Sequence, residues 1–346
     1  MTHQNRKEDH IRICMEENVG AVGLTAGFER YGLLHCALPE MALADVDASA
    51  QLFGKRLAAP LVLSAMTGGA EIAAPINQNL AKAAQAYGVA MGVGSQRVAV
   101  EHPDWARTYQ VREVAPDILL FANLGAVQLN YGYGVEECRR AVEMIGADAL
   151  VLHLNALQEC FQPGGNTDFS GLLAKIGAIC RALSVPVIAK EVGWGLSAAV
   201  ARQLADAGVA ALDVAGAGGT SWSQVEKHRS PAELTRQIAE AFAGWGIPTA
   251  LSLQLARQAA PRLPIIASGG VRNGVEAATA IALGADLVGI ARPLLEAATT
   301  SAEATGAAVQ ALIETFRIAM FAAGARDLAA LRQVPLIRDG QIWQRR

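Results

Sequence analysis

A short apolar segment followed by a helical segment recurs eight times along this 346-residue chain. Each apolar segment starts after a turn that contains glycine or proline, and it ends in glycine or polar residues. Near-continuous apolar runs of this kind are typical of parallel strands that are buried on both faces. Strands are therefore predicted at 59–65, 89–95, 117–125, 148–155, 186–193, 209–216, 264–270 and 286–293.

Helical periodicity occupies the segments between the predicted strands. Glycine follows several of these helices, where the chain commonly needs a left-handed residue. Alternating strands and helices require a parallel sheet, and eight units of similar length favour a closed (β/α)8 barrel, or TIM barrel. An open α/β sheet is the alternative. The predicted helices lie at 72–87, 136–145, 172–183, 198–207 and 275–283.

We predict one structural domain of the α/β class, in which an N-terminal extension at 1–58 contributes to the substrate site of a barrel at 59–346. The net charge of −3 does not provide the basic surface that nucleic acid requires. Five scattered cysteines without a CxxC pair argue against a disulfide framework and against structural zinc. The polar N-terminus and the lack of a long apolar segment predict a cytoplasmic protein with neither a membrane nor a nucleic-acid partner.

The carboxyl ends of the predicted strands hold the candidate site, because barrels of this class place their active sites there. The last two strands end in SGGVR at 268–272 and GIAR at 289–292. Their glycines let backbone N–H groups approach phosphate oxygens, at the two strands where such barrels usually bind phosphate. A long connection at 215–248 opens with glycine, serine and tryptophan and is predicted to be an active-site loop. A flat, phosphorylated ligand is the expected occupant.

Lys190 and the pair Arg6 and Lys7 are cations in different parts of the predicted fold, so their roles have to be considered separately. Lys190 ends an otherwise apolar strand, where an unpaired ammonium group is costly to bury. Three roles for it are open: neutralising the negative edge of a reduced flavin, forming a Schiff base, or pairing with Glu191 or Asp213. Arg6 and Lys7 precede every predicted core element, and the residues alone favour a solvated charge cluster.

With these motifs assembled, the chain resembles the type 2, flavin-dependent isopentenyl-diphosphate isomerases along nearly its whole length. RKEDHI at 6–11 combined with HLNALQE at 153–159 is the specific part of the resemblance. Other FMN-binding barrels share the remaining motifs singly. These are SAMTGG at 64–69, GSQR at 94–97, NLGA at 123–126, KEVGWG at 190–195, DVAGAGGTSW at 213–222, SGGVRNG at 268–274 and GADLVGIARPLL at 284–295.

The resemblance implies an FMN-linked barrel that interconverts isopentenyl and dimethylallyl diphosphate for isoprenoid biosynthesis. It implies that Glu159 binds a Mg²⁺ ion that bridges to the diphosphate, and that the protein forms a homotetramer or a larger assembly. The implied substrate contacts are Arg6, Lys7, Ser95, Gln96, Arg97 and Gln158. The implied FMN contacts are Ala65, Met66, Thr67, Ser95, Asn123, Lys190, Thr220, Gly270, Val271, Arg272, Ala291 and Arg292.

One loop departs from the family pattern. A QPEGD-like acidic segment tends to follow the LQE motif, whereas residues 162–166 of this chain are QPGGN. Two carboxylates are therefore missing beside Glu159, which puts the affinity for the metal in doubt. Asp168 is the candidate to replace them.

Shifting the double bond requires a proton to be added at C4 and another removed at C2. An alkene without a neighbouring carbonyl needs a strong acid and a base in a dry pocket. In line with the family, the hypothesis is that reduced FMN exchanges protons with the substrate through N5, without net redox change. NADPH would be the reductant that supplies reduced FMN. Gln158 would orient the substrate or assist the transfer. His153 would tune or relay it, and a purely structural histidine is the alternative.

Two other functions are to be distinguished from this hypothesis. An FMN-dependent 2-hydroxyacid oxidase needs a histidine base and an arginine near the end of the sixth or seventh strand. Residues 215–222 contain neither. A non-catalytic sensor of flavin or of a phosphorylated ligand would keep the cofactor site and have no turnover.

Overall fold

The computed structural model of the protein describes the backbone of residues 3–343 and the side chains of residues 6–343. Positions 1–2 of the predicted extension and 344–346 of the predicted barrel lie outside the described residues. The extension begins with helix α1 at His3–Glu16 and continues with strands β1 at Tyr31–Leu33, β2 at Ala50–Leu52 and β3 at Lys55–Leu57. Short 3-10 turns precede β1 at Phe28–Arg30 and β2 at Leu43–Asp45.

The next eight strands form a closed barrel, and each lies within its predicted segment. They are β4 at Leu61–Leu63, β5 at Ala90–Gly92, β6 at Leu120–Gly125, β7 at Ala149–Leu154, β8 at Val187–Glu191, β9 at Ala211–Asp213, β10 at Ile265–Ala267 and β11 at Leu287–Ile290. All neighbouring pairs are parallel, and the ring closes where Val288 of β11 lies opposite Leu61 of β4. The predicted (β/α)8 barrel is therefore confirmed, and the open sheet is excluded.

Helices cover the outside of the barrel, and the five predicted helices agree with the observed ones to within one residue at each end. The helices after α1 are α2 at Ala73–Tyr87, α3 at Arg97–Glu101, α4 at Val135–Ile145, α5 at Ala156–Phe161, α6 at Leu172–Ala182, α7 at Ala198–Asp206, α8 at Trp222–Arg229, α9 at Glu233–Ala241, α10 at Thr249–Ala259, α11 at Gly274–Ala282, α12 at Arg292–Thr300, α13 at Ala302–Ala322 and α14 at Leu328–Leu331. None of the helices within residues 3–343 is long and apolar enough to cross a bilayer.

Half of the loop predicted at 215–248 is helical, because it contains α8 and α9. Both helices carry many polar residues, so their sequences resemble a surface loop. After α14, strands β12 at Leu336–Arg338 and β13 at Gln341–Trp343 complete the described chain. Strand β1 of the extension pairs with β12 in antiparallel fashion.

The extension contacts both ends of the barrel. Leu52 and Leu57, from the β2–β3 hairpin, pack against the apolar cluster that fills the barrel interior near the strand starts. Lys55 of the same hairpin pairs with Asp148, which directly precedes β7. Helix α1 lies at the other end, where the strands finish. The extension thus closes the amino end of the barrel and supplies a wall at the carboxyl end.

Candidate active site at the carboxyl end of the barrel

A cavity of about 830 Å³ opens at the carboxyl end of the barrel. All eight strand ends line it, and α1 forms one side. With the exceptions of Gln96 and Asp168, the structure brings together every residue that the sequence analysis assigned to the site. The lining includes Arg6, Lys7, Ala65, Met66, Thr67, Ser95, Arg97, Asn123, His153, Gln158, Glu159, Lys190, Thr220, Gly270, Val271, Arg272, Ala291 and Arg292.

The walls of the cavity suit a flat ligand with polar edges and a phosphate. The loops after β9 and β10 approach closely at their glycines, since a Cβ atom at Gly219 would lie 2.6 Å from the backbone nitrogen of Gly270. The buried Oγ1 of Thr67 and Oδ1 of Asn155 find no hydrogen-bond partner among the described residues. Buried polar atoms are rarely left unpaired, so a ligand is the expected partner. Helix α12 begins at Arg292 on the cavity wall and adds the partial positive charge of its N-terminus. These residues fit FMN.

Lys190 is held beside the cavity by two contacts. Its Nζ donates a hydrogen bond to the carbonyl oxygen of Glu191 at 2.8 Å and lies 3.7 Å from Oδ2 of Asp213. Of the three roles left open by the sequence, the ion pair is present, and its partner is Asp213. The carboxylate of Glu191 instead accepts hydrogen bonds from the backbone N–H groups of residues 192–195.

His153 is neutral at physiological pH. Burial lowers its pKa to about 3, and the nearby charges of Lys7 and Lys190 act in the same direction. Nδ1 lies 2.8 Å from Oδ1 of Asn123. Since an amide oxygen can only accept, we assign the ring proton to Nδ1. His153 therefore presents an unprotonated Nε2, and it can accept a hydrogen bond there.

Arg6 and Lys7 project from α1 into the cavity wall rather than into solvent. Arg6 Nη1 donates a hydrogen bond to Oε1 of Gln162 at 3.0 Å. Burial, together with the charge of Arg6, lowers the pKa of Lys7 to about 8. The solvated cluster favoured by the residues alone is therefore wrong, since α1 carries these cations to the site.

The carboxylate of Glu159 is buried and firmly oriented. Its Oε1 accepts hydrogen bonds from Asn155 Nδ2 at 2.7 Å and Gln162 Nε2 at 2.9 Å, and its Oε2 accepts one from the backbone N–H of Asn166 at 2.6 Å. Asp168 does not replace the missing carboxylates, because it is exposed and caps the backbone N–H of Ser170. Within residues 6–343, whose side chains the structure describes, no group of three or more histidine, cysteine, aspartate or glutamate side chains forms a metal cage.

Comparison with known proteins places this geometry in a family. Residues 155–338 match the family model described as FMN-dependent dehydrogenase. The isopentenyl-diphosphate delta-isomerases of Synechococcus sp. and Stutzerimonas stutzeri are each 56% identical to the chain, and each match covers 96% of it. The matches cover 96% of the Synechococcus enzyme and 97% of the Stutzerimonas enzyme. The enzyme of Synechocystis sp. is 55% identical over 99% of the chain and 97% of its own length. The chain belongs to the isopentenyl-diphosphate delta-isomerase family.

Mandelate oxidase is similar to this isomerase-family chain in fold. One structure matches with a TM-score of 0.64 at 20% identity, covering 92% of this chain and 89% of the other. At that identity the similarity shows the barrel fold alone. The match to an FMN-dependent family supports FMN as the cofactor.

One predicted substrate contact in this isomerase-family site needs correction. The side chain of Gln96 is fully buried and does not line the cavity. Its Nε2 donates to the carbonyl oxygen of Ala141 in α4 at 2.8 Å, and its Oε1 accepts from the backbone N–H of Asn123 at 2.9 Å. Gln96 thus joins β6 to α4. Its sequence neighbours Ser95 and Arg97 face the cavity, and a motif cannot show which way each member points.

The sequence analysis did not assign one buried carboxylate of this isomerase-family site, Glu226 in α8, because it lies outside the motifs. Its Oε1 lies 3.0 Å from Nε2 of His10 and 3.4 Å from Nε2 of Gln158, and its Oε2 accepts from Arg229 at 2.5 Å. Burial alone would raise the pKa of Glu226. The hydrogen bonds and charges of His10 and Arg229 outweigh it and hold this pKa below its ordinary value. Glu226 therefore ties α1 to the amide of Gln158. His10 belongs to the RKEDHI motif, but no local signal in the sequence marks Glu226.

Proposed function

We propose that this protein interconverts isopentenyl and dimethylallyl diphosphate, with reduced FMN as cofactor, NADPH as reductant and Mg²⁺ as the metal. The observation that carries the proposal is the meeting of α1 with the strand ends. Through α1, Arg6 and Lys7 line the same cavity as Gln158 and Lys190. Cations suited to a diphosphate thereby lie beside residues suited to a flavin.

The diphosphate would bind at the side of the cavity formed by α1. Arg6, Lys7 and Arg97 supply positive charge there, and the guanidinium groups favour paired contacts with phosphate oxygens. Glu159 supplies a charged oxygen, and the unpartnered Oδ1 of Asn155 supplies a neutral one. Mg²⁺ prefers oxygen ligands and often shares substrate phosphates while keeping several waters. One carboxylate, one amide and a diphosphate are therefore an adequate donor set.

The chemistry supplied by bound reduced FMN in this proposal is proton exchange with the alkene, without net redox change. Gln158 orients the alkene, and its own amide is oriented by Glu226. His153 offers Nε2 as an acceptor and does not act as an acid, because it is already neutral. Helix α1 forms one wall of the cavity, and the water it displaces there would strengthen the electrostatic contacts inside.

The decisive assay uses the purified protein with isopentenyl diphosphate and Mg²⁺ under anaerobic conditions. A yellow protein with the absorbance of FMN is expected. Dimethylallyl diphosphate should form after reduction by NADPH, and little should form with the oxidised, reductant-free protein. Equal rates in the two states would contradict the role of reduced FMN. Hydrogen peroxide production with lactate or glycolate would instead favour the 2-hydroxyacid oxidase.

The pH dependence of kcat/KM is expected to reveal Lys7. Its ammonium is protonated below a pKa of about 8 and neutral above it. Since kcat/KM reports the free enzyme, it should fall as the pH rises through about 8, because the diphosphate then loses one cationic partner. In Lys7→Arg the guanidinium stays charged, so this alkaline decrease should disappear. Persistence of the same decrease in Lys7→Arg would assign it to another group.

A cytoplasmic location and a homotetramer or larger assembly remain predictions, which fractionation and light scattering can test. The non-catalytic sensor is also separable, because it would bind FMN and show no isomerisation in the assay above.

A further inference from the structure

Lys190 is the next-to-last residue of β8, and Asp213 is the last residue of the adjacent strand β9. They lie directly opposite each other in the register of β8 and β9, and both side chains are nearly buried, with 13% and 6% exposed. Two facing charges in such a position are costly to bury unless they compensate each other. Within residues 6–343, Asp213 is the only carboxylate within 4 Å of the Lys190 ammonium group.

Asp213 is fixed in place without help from Lys190. Its Oδ1 accepts hydrogen bonds from Oγ of Ser268 at 2.5 Å and from the backbone N–H of Ala215 at 3.3 Å. Its Oδ2 is left to face Lys190. The loops after β9 and β10 therefore hold this carboxylate rigidly behind the lysine.

Lys190 lines the cavity, whereas Asp213 does not. A ligand in the cavity therefore meets the lysine directly and meets the aspartate only through its field. The separation of 3.7 Å between Nζ and Oδ2 is an ion pair without a close hydrogen bond. The ammonium group thus keeps donor capacity for a ligand, while its net charge is partly offset.

We propose that Asp213 is a positioning residue that sets the electrostatic potential at the edge of the flavin that Lys190 contacts. This inference rests on the binding of FMN in the cavity. Reduction adds negative charge to the flavin ring, and an unopposed lysine would stabilise that charge strongly. Asp213 weakens the stabilisation, so the reduced ring keeps a higher affinity for protons. That property suits a cofactor used for proton exchange rather than for net oxidation.

The test is the midpoint potential of bound FMN in Asp213→Asn, titrated anaerobically against reference dyes. Asparagine keeps an oxygen for Ser268 and Ala215 and removes the negative charge. At a fixed ambient potential, the ratio of reduced to oxidised FMN is expected to rise at least tenfold. For a two-electron couple this equals an upward shift of about 30 mV.

Asp286→Asn is the matched control. Asp286 pairs with Arg257 and Arg332 just before β11, at the opposite end of the barrel. This variant also loses ion pairs of a partly buried aspartate next to a barrel strand, so it should lower stability and leave the potential of FMN unchanged. An equal shift in both variants would overturn the proposal, because it would show a general effect of destabilising the barrel.

A second pair of variants covers the case in which Asp213→Asn does not fold because it leaves Lys190 unpaired. Lys190→Met and Lys190→Met/Asp213→Asn both lack the unpaired cation. The double variant should have the higher potential, because it lacks the field of the carboxylate. A change of less than twofold in the ratio, in either comparison, overturns the inference. If the wild-type protein binds FMN and isomerises its substrate, such a result overturns the role of Asp213 and leaves the proposed function intact. A wild-type protein that does not bind FMN would overturn both the role of Asp213 and the proposed function.

Discussion

Gln158→Ala is expected to lower kcat by about 10²- to 10³-fold while FMN remains bound, which is the usual loss when one preorganised donor is removed from an active site. Gln158 is buried, lines the cavity and lies 3.4 Å from the carboxylate of Glu226. Alanine removes the amide that orients the alkene, but it removes no backbone contact around the FMN cavity. The measurement is kcat per bound FMN, with FMN counted by its absorbance.

Gln224→Ala is the matched control for this prediction. Gln224 is a buried glutamine of α8, and its amide donates to the carbonyl of Ala239 rather than into the cavity. Its loss should lower the free energy of unfolding by about 1–3 kcal/mol and leave kcat per bound FMN near the wild-type value. A Gln158→Ala variant that retains wild-type turnover would contradict the assignment of Gln158 to the reacting part of the site.

Gly218→Ala should detach the extension from the mouth of the barrel. Gly218 has a φ of +116°, and a Cβ atom there would lie 1.9 Å from the backbone nitrogen of Ala26. A backbone atom cannot swing aside as the tip of a side chain can. We expect a loss of about 3 kcal/mol or more in the free energy of unfolding, from backbone strain and overpacking together. Urea unfolding measures the stability, and FMN fluorescence measures the affinity, which should also fall.

Gly132→Ala isolates the effect of the clash. Gly132 has a φ of +91°, but no atom lies within 4 Å of the position that its Cβ would take. It should therefore lose only about 1 kcal/mol, from the strained backbone conformation. If the two alanine variants were equally stable, the contact between the extension and the loop after β9 would have no energetic importance.

The strands and the five predicted helices were predictable because their signals are local. A strand buried on both faces needs a continuous apolar run, and a helix needs periodic apolar positions and a suitable end, so each element is encoded in its own few residues. The barrel follows from their alternation, and the fold then assigns residues such as Asn123 and Lys190 to one mouth. For this reason nearly all of the predicted site residues line one cavity.

Orientation and distant contact were not predictable, because they depend on residues that meet only after the chain closes. The Gln96 side chain turns away from the cavity since two neighbouring elements offer it backbone partners. Glu226 lies 216 positions from His10, and only the docking of α1 on α8 joins them. The sequence allowed either Glu191 or Asp213 as the ion-pair partner of Lys190. The register of β8 with β9 places Asp213 opposite the lysine. Local pattern therefore sufficed for the scaffold and its mouth, whereas the partners of each charged side chain were decided by packing.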